Sequence, residues 1–205
     1  MSTQETEQPA VKKKSVLREW IESIIIAFIL AMVIRVFIVE PFKIPTGSMK
    51  PTLLEGDIIL VNKFIYGARI PFTHLRLPAV RQLKRGDVVV FIYPEDRKKS
   101  FIKRLIAFPA ETVEIKDCKI YINDKPLLEP IFNQNTDGTT RCYYNRGKLG
   151  VEGQKIVVPK DSYFVLGDNS GSSLDSRFWG FVPEDNFQGK ALIIYWPPQR
   201  IRMIK

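Results

Sequence analysis

Three segments of the chain carry side chains able to do chemistry together. Ser48 lies in Ile44-Pro45-Thr46-Gly47-Ser48-Met49-Lys50-Pro51-Thr52-Leu53. Gly47 lets the backbone approach closely, and Pro45 and Pro51 restrict its movement. On this segment alone an ordinary turn serine is the better reading, because a serine hydroxyl needs an adjacent base to become a nucleophile at neutral pH. His74 is one candidate base, but its loop, IPFTHLRLP, has no strand or helix pattern to fix it. A lysine is the other, provided that it is neutral. With a pKa near 10.4, about one lysine in 2,500 is neutral at pH 7, so the base should be buried in an apolar wall that lowers its pKa. Lys103 alone sits in such a run, Phe101-Ile102-Lys103-Arg104-Leu105-Ile106. Alternation puts Phe101, Lys103 and Leu105 on one face and Ile102, Arg104 and Ile106 on the other, without saying which is inside. The neighbouring Arg104 is not a base, since guanidinium keeps its proton in proteins. The competing fate of Lys103 is a snorkelling edge-strand lysine. The third segment, GDNSGSSLDSRFWG at 167–180, follows an apolar strand and is dense in hydrogen-bonding groups that can satisfy a buried ammonium.

Composition narrows the chemistry further. The chain has 205 residues, 45% hydrophobic and 26% charged, with two cysteines and one histidine. That suits one compact domain with an appendage and excludes global disorder. It also excludes a disulfide-stapled miniprotein and a multi-histidine zinc site. No metal cluster or nucleotide loop is visible, so no metal and no cofactor is expected. The net charge of +9 lies beyond residue 40, and its densest cluster is Arg97, Lys98, Lys99, Lys103 and Arg104. A basic domain beside a bilayer is attracted to anionic headgroups, which accounts for the charge without nucleic acid.

Residues 20–39, WIESIIIAFILAMVIRVFIV, predict a single transmembrane helix; twenty helical residues span about 30 Å. Glu22 and Arg35 lie near its ends, where they can reach the interface. No Ala-x-Ala site follows, so the segment is expected to remain as an anchor. Lys12, Lys13, Lys14 and Arg18 place residues 1–19 in the cytoplasm and residues 40–205 outside. In that outer domain, apolar runs at 57–64, 87–93, 101–108, 112–115, 119–123, 155–158, 162–166 and 191–196 are broken by turn residues, predicting short strands. Residues 129–154 form a polar insertion or long loop. Cys118 and Cys142 either pair, as an oxidising compartment permits, or remain two free thiols; the sequence leaves both open.

Taken together, these segments resemble type I signal peptidases, the membrane-bound Ser/Lys leader peptidases. The resemblance rests on GSMKPTL at 47–53, RGDVVVF at 85–91, FIKRLIAFP at 101–109, GDNSGSSLDSRFWGFVP at 167–183 and YWPPQRIR at 195–202, in addition to the anchor. It implies a mostly β fold: an N-terminal transmembrane helix followed by an all-β catalytic domain. It implies a serine endopeptidase that removes signal peptides from secreted preproteins after small residues, Ala-x-Ala in type, through an acyl-enzyme. Ser48 is then the nucleophile, Lys103 the general base, and the Ser48 N–H and Thr46 hydroxyl the oxyanion hole. Ser173 orients the lysine. Arg104, Asp168, Asp175 and Arg177 support the site, while Ile44, Pro45, Met49, Leu53 and Phe101 line shallow substrate pockets. The implied setting is the bacterial cytoplasmic (inner) membrane. The implied partners are secretory preproteins and the lipid bilayer, with room for transient contact with the translocon and no nucleic acid.

The chain departs from the family pattern at Ala107-Phe108-Pro109-Ala110-Glu111, where Gly-x-Pro-Gly-Asp is common, and Ala110 argues against a positive φ there. It departs again at 170–172, Ser-Gly-Ser, where charged or amide residues are frequent. Two rival readings make different demands. A self-cleaving Ser/Lys regulator needs an internal Ala-Gly-like site and a DNA-binding module, and neither is seen. A non-catalytic basic β-domain for lipid headgroups or a partner would be indifferent to loss of Ser48 and Lys103.

Overall fold

The computed structural model of the chain describes residues 15–33, 39–67, 75 and 77–204. His74, Arg35 and the basic run at 12–14 lie outside the described residues. The first element is a helix, α1 (Val16–Val33), with the sequence VLREWIESIIIAFILAMV. No helix among the described residues is long and apolar enough to cross a membrane. The physical reason is that Arg18, Glu19 and Glu22 occupy its first two turns. The apolar part that follows them rises only about 16 Å. The sequence reading also extends the helix too far. Val39 is the first residue of a strand, paired with Asn62, rather than the last residue of a helix, and residues 34–38 lie outside the described residues.

The remainder is β. The strands are β1 (Val39–Lys43), β2 (Ile58–Asn62), β3 (Val88–Ile92), β4 (Ser100–Ala107), β5 (Thr112–Lys116), β6 (Lys119–Ile122), β7 (Lys125–Pro126), β8 (Ile156–Val157), β9 (Ser162–Leu166), β10 (Val182–Pro183), β11 (Phe187–Trp196) and β12 (Arg202–Met203). They form an eight-stranded sheet, β1-β2-β11-β3-β4-β9-β10 with β12 on β11, and a four-stranded sheet, β7-β6-β5-β8. Each predicted strand is present. β1, which carries Pro41, is legible only in the fold, because proline removes a ladder donor and is confined to edges such as this one.

The unbroken VVVFI of β3 reflects burial on both faces. Val88 and Val90 join a core with Ile44, Met49, Leu53, Ile59 and Val61, while Val89 and Phe91 join another with Leu105 and Val165. β4 behaves in the same way: Phe101 and Leu105 border the second of these cores, Ile102 the first, and Ile106 a third around Val113, Ile115 and Phe164. The alternation expected along 101–106 is therefore realised, and both of its faces are inside.

The polar stretch 129–154 is largely exposed, yet parts of it are tied into the fold. It contains a short helix, α2 (Pro130–Asn133), and sends Phe132 and Tyr143 into the third core. Cys142 within it is disulfide-bonded to Cys118, which settles the pairing that the sequence leaves open. Cys118 and Asp117 both have positive φ, 63° and 50°, as the two-residue turn between β5 and β6 requires.

Ala110 overturns its own expectation: its φ is 65°. The turn after β4 is pinned from both sides, so the backbone takes the left-handed form despite the Cβ. Ala110 N–H donates to Val158 O at 2.9 Å, Phe108 N–H to the Glu111 carboxylate at 2.7 Å, and Arg85 pairs with that carboxylate at 2.6 Å. A left-handed alanine costs about 1–2 kcal/mol, and glycine recovers part of this after its own entropy cost. Ala110→Gly should therefore stabilise the protein by roughly 0.5–1 kcal/mol. A thermal melt in detergent checks this, and a lowered Tm contradicts it.

Candidate active site

Ser48 and Lys103, 55 positions apart, meet. Lys103 Nζ lies 2.7 Å from Ser48 Oγ and donates also to Ile102 O at 3.0 Å. The serine sits in a single 3-10 turn, Gly47–Met49, entered from extended Thr46. Met49 is fully buried in the core beneath, which fixes the turn on the sheet. Lys103 comes from the middle of β4 and is 3% exposed, with its ammonium 5.5 Å from the Phe101 ring centre. Burial brings its pKa down to about 8; the charges of Asp175 and Asp168 oppose that shift and Arg177 assists it.

The polar loop after β9 holds the two together. Asn169 N–H donates to Ser48 O at 3.1 Å, and its side-chain amide donates to Gly47 O at 3.0 Å. Gly167, at the junction of β9 and the loop, lies so close that an added Cβ would sit 2.5 Å from Ser48 O and 2.1 Å from Ser173 Oγ. That is why the position takes glycine.

Two buried ion clusters support this arrangement. Asp168 accepts from Arg104 at 2.8 and 2.6 Å, from Arg141 at 2.9 Å and from the Thr52 hydroxyl. Burial alone would raise the Asp168 pKa; the guanidiniums of Arg104 and Arg141, with the Thr52 hydroxyl, overcome that and hold it below the usual carboxylate range. Asp175 caps a helical turn, α3 (Ser176–Trp179), and pairs with Arg177 at 2.8 Å through both of its oxygens. Arg177 also donates to Tyr144 O, Ser170 Oγ and Ser170 O, while Asp175 accepts from Gly167 N–H at 3.0 Å.

A cleft of about 320 Å³ opens onto Ser48 and Lys103. Of the residues that the resemblance assigns to the substrate pocket, Pro45 and Phe101 line it, together with Thr46, Ser100, Ile102, Ser172 and Leu174. Ile44, Met49 and Leu53 do not line it. They are 3%, 0% and 0% exposed and form the core behind its wall, a correction to the pocket that the resemblance implies. Ile102 was hidden because alternation sets it on the face opposite Lys103, and nothing local marks Leu174. Thr46 is exposed at the rim beside Ser48. Ser173 Oγ is buried and makes no hydrogen bond to Lys103 or to any other group among the described residues. Arg141 and Thr52, both buried on Asp168, are supporting residues that sequence reasoning misses: Arg141 lies in a polar stretch with no pattern of its own, and the partner of Thr52 is 116 residues away. A second cleft, of about 360 Å³ among Tyr66, Arg81, Phe108 and Tyr163, contains no nucleophile–base pair. No cluster of residues suited to a metal occurs among the described residues.

The chain matches the family model described as signal peptidase, peptidase S26, over residues 17–196. It is 36% identical to a signal peptidase I of Pseudomonas fluorescens, covering 93% of this chain and 77% of that protein. It is 37% identical to signal peptidase I T of Bacillus subtilis, covering 98% and 96%. A crystal structure of a signal peptidase I from Enterococcus faecalis is 32% identical, covering 55% of this chain and 98% of that one, with a TM-score of 0.42.

Proposed function

Because this chain belongs to the type I signal peptidases of the peptidase S26 family, we propose that it cuts signal peptides from secreted preproteins after small, Ala-x-Ala-type residues through a Ser48/Lys103 dyad. The observation that carries this reading is the 2.7 Å contact between a hydroxyl and a buried lysine on the wall of an open cleft.

With its pKa brought to about 8, Lys103 is neutral in about one molecule in ten at pH 7, against about one in 2,500 for a free lysine. Neutral Nζ takes the Ser48 proton as Oγ attacks the scissile carbonyl. The oxyanion is received by the Ser48 N–H and the Thr46 hydroxyl; one such donor contributes roughly 10²–10³ in rate. The lysinium then protonates the leaving amine, and Lys103 activates the water that hydrolyses the ester. The clusters of Asp168 with Arg104 and Asp175 with Arg177 fix the loop.

The substrate lies extended along β4. That strand pairs with β3 over 100–104 but with β9 only from Arg104 onward, so among the described strands its 100–103 edge is unpaired. An added strand there takes main-chain hydrogen bonds, while Pro45, Phe101, Ile102 and Leu174 admit small side chains.

Anchoring to a bilayer is part of this proposal. Ile24, Ile25, Ile26, Phe28, Ile29, Leu30 and Met32 of α1 are all exposed, an apolar surface too large for water. Residues 1–19 then form a cytoplasmic tail, 20–38 the anchor, and the domain from Val39 onward faces outward. The setting is a single-pass protein of the bacterial cytoplasmic membrane, able to meet preproteins as they leave the translocon.

The test is cleavage of a secretory precursor by the detergent-solubilised full chain across pH. The ammonium is the inactive form of the base, so kcat/KM should rise with pH through an apparent pKa near 8 and level off above it. His74→Ala should leave the profile unchanged. A midpoint near the unperturbed lysine value of about 10, or loss of activity with His74, would reject Lys103 as the tuned base.

A further inference from the structure

The segment 141–144, closed by the disulfide, reaches the same carboxylate that ties the two halves of the dyad, and no part of the chemistry above uses it. Arg141 is 4% exposed, far from the surface expected of an arginine in a polar stretch. Its Nη1 donates to Asp168 Oδ1 at 2.9 Å and to Ile131 O at 2.9 Å, and its Nε to Asn135 Oδ1 at 3.0 Å. Cys142 is bonded to Cys118, and Tyr143 N–H donates to Cys118 O at 3.0 Å, so the arginine is held against the β5–β6 turn. Next along, Tyr144 N–H donates to Ser170 Oγ at 2.8 Å.

From Asp168 the contacts divide. One arm runs through the Thr52 hydroxyl to the segment of Ser48, and the other through Arg104 to the strand position beside Lys103. Asn169, the next residue, bonds both Gly47 O and Ser48 O. We propose that Arg141 is a positioning residue for the reaction: anchored by the Cys118–Cys142 bridge, it fixes Asp168 and thereby sets the distance and charge balance between Ser48 and Lys103.

This inference rests on the Ser48/Lys103 reading, and its effect is on turnover rather than binding, because Arg141 lines none of the cleft that takes the substrate. It also has an electrostatic side. The charged groups facing Lys103 are Asp175, Asp168 and Arg177, and Asp168 is the one that Arg141 partly neutralises. Removing Arg141 leaves more of the Asp168 charge to favour the ammonium, so the pH midpoint of kcat/KM should move up.

The experiment measures kcat and KM on a secretory precursor bearing an Ala-x-Ala site, across pH, for the full chain and its Arg141→Met, Arg141→Lys and Ser48→Ala variants. Arg141→Met is expected to lose about tenfold or more in kcat at little-changed KM, since small misplacements of reacting groups are costly. Its midpoint should rise by roughly half a unit. Arg141→Lys, which keeps the charge without the fork, should return the midpoint toward wild type and recover only part of kcat. If Arg141→Met does not fold, Arg141→Lys decides by itself: wild-type kcat in a folded Arg141→Lys overturns the proposal. So does a folded Arg141→Met with wild-type kcat and midpoint. A loss of activity that follows only the folded fraction, with kcat per folded molecule and midpoint unchanged, also overturns it, because that is what a purely structural arginine would give. Activity surviving in Ser48→Ala identifies instead a failure of the dyad reading.

Discussion

Ser48→Ala and Lys103→Met are each expected to reduce cleavage of a secretory precursor by at least about 10³-fold, and Lys103→Met should also make the protein more stable at neutral pH. The first half follows from the reaction, since each member of a nucleophile–base pair is required and their losses are not additive. The second half follows from burial. A folded-state pKa of about 8 against the ordinary lysine value of 10.5 means that at pH 7 the fold holds an ammonium it disfavours, by about 3 kcal/mol at 1.36 kcal/mol per unit. Methionine fills similar space without charge but loses the hydrogen bonds to Ser48 Oγ and Ile102 O, which leaves a net gain of about 1–3 kcal/mol.

The sign with pH is opposite to that of a surface lysine in an ion pair. Between about pH 8 and 10.5 the unfolded chain binds the proton that the fold has released, so the Lys103 contribution to stability rises with pH across that window. The advantage of Lys103→Met should therefore be largest below pH 8 and fade towards pH 10.5. Paired thermal melts at neutral and alkaline pH measure it. A variant that is inactive yet less stable than wild type at both would contradict the burial argument, while retained cleavage would contradict the mechanism.

Asp168→Ala is expected to be the most damaging single change to stability. Asp168 is a fully enclosed carboxylate joined to two guanidiniums, Arg104 and Arg141, and to the Thr52 hydroxyl. Removing the carboxylate strands two buried cations, and breaking one such pair typically costs about 3–5 kcal/mol. For a domain of this size that lowers Tm by roughly 10 °C or more. Because the folded-state pKa of Asp168 lies below the ordinary value, its contribution is present above the unfolded carboxylate pKa and is lost as pH falls through the folded one. The wild-type minus Asp168→Ala difference should accordingly shrink in acid. A loss of less than about 1 kcal/mol would contradict this expectation.

The candidate dyad comes from the family resemblance, since the Ser48 segment alone reads as an ordinary turn and only the lysine is conspicuous by itself. Ser48 lies between prolines beside a glycine, and Lys103 interrupts an apolar strand in which a charge needs a reason. The strands were legible because their apolar runs are short and punctuated. Other features were hidden for definite physical causes. β1 contains a proline that only an edge strand tolerates, and edge status is a property of the assembled sheet. Ile44, Met49 and Leu53 sit next to the serine in sequence, yet the 3-10 turn at 47–49 directs them into the core behind the cleft, while Leu174 enters it from the far loop. Ala110 takes a left-handed backbone that its side chain disfavours, because Arg85, Glu111 and Val158 hold the turn.

Local and compositional features are readable along the chain: short strands, a lone histidine, an apolar N-terminal segment, and one lysine whose neighbours would strip it of water. The tertiary structure alone decided which groups meet: Lys103 with Ser48, Arg141 and Thr52 with Asp168, Cys118 with Cys142. Periodicity fixes the face on which a side chain lies, but not what is packed against that face. Those partners arrive from 24 to 116 residues away, and at such separations only the closed sheets and their shared cores fix the distances on which proton transfer depends.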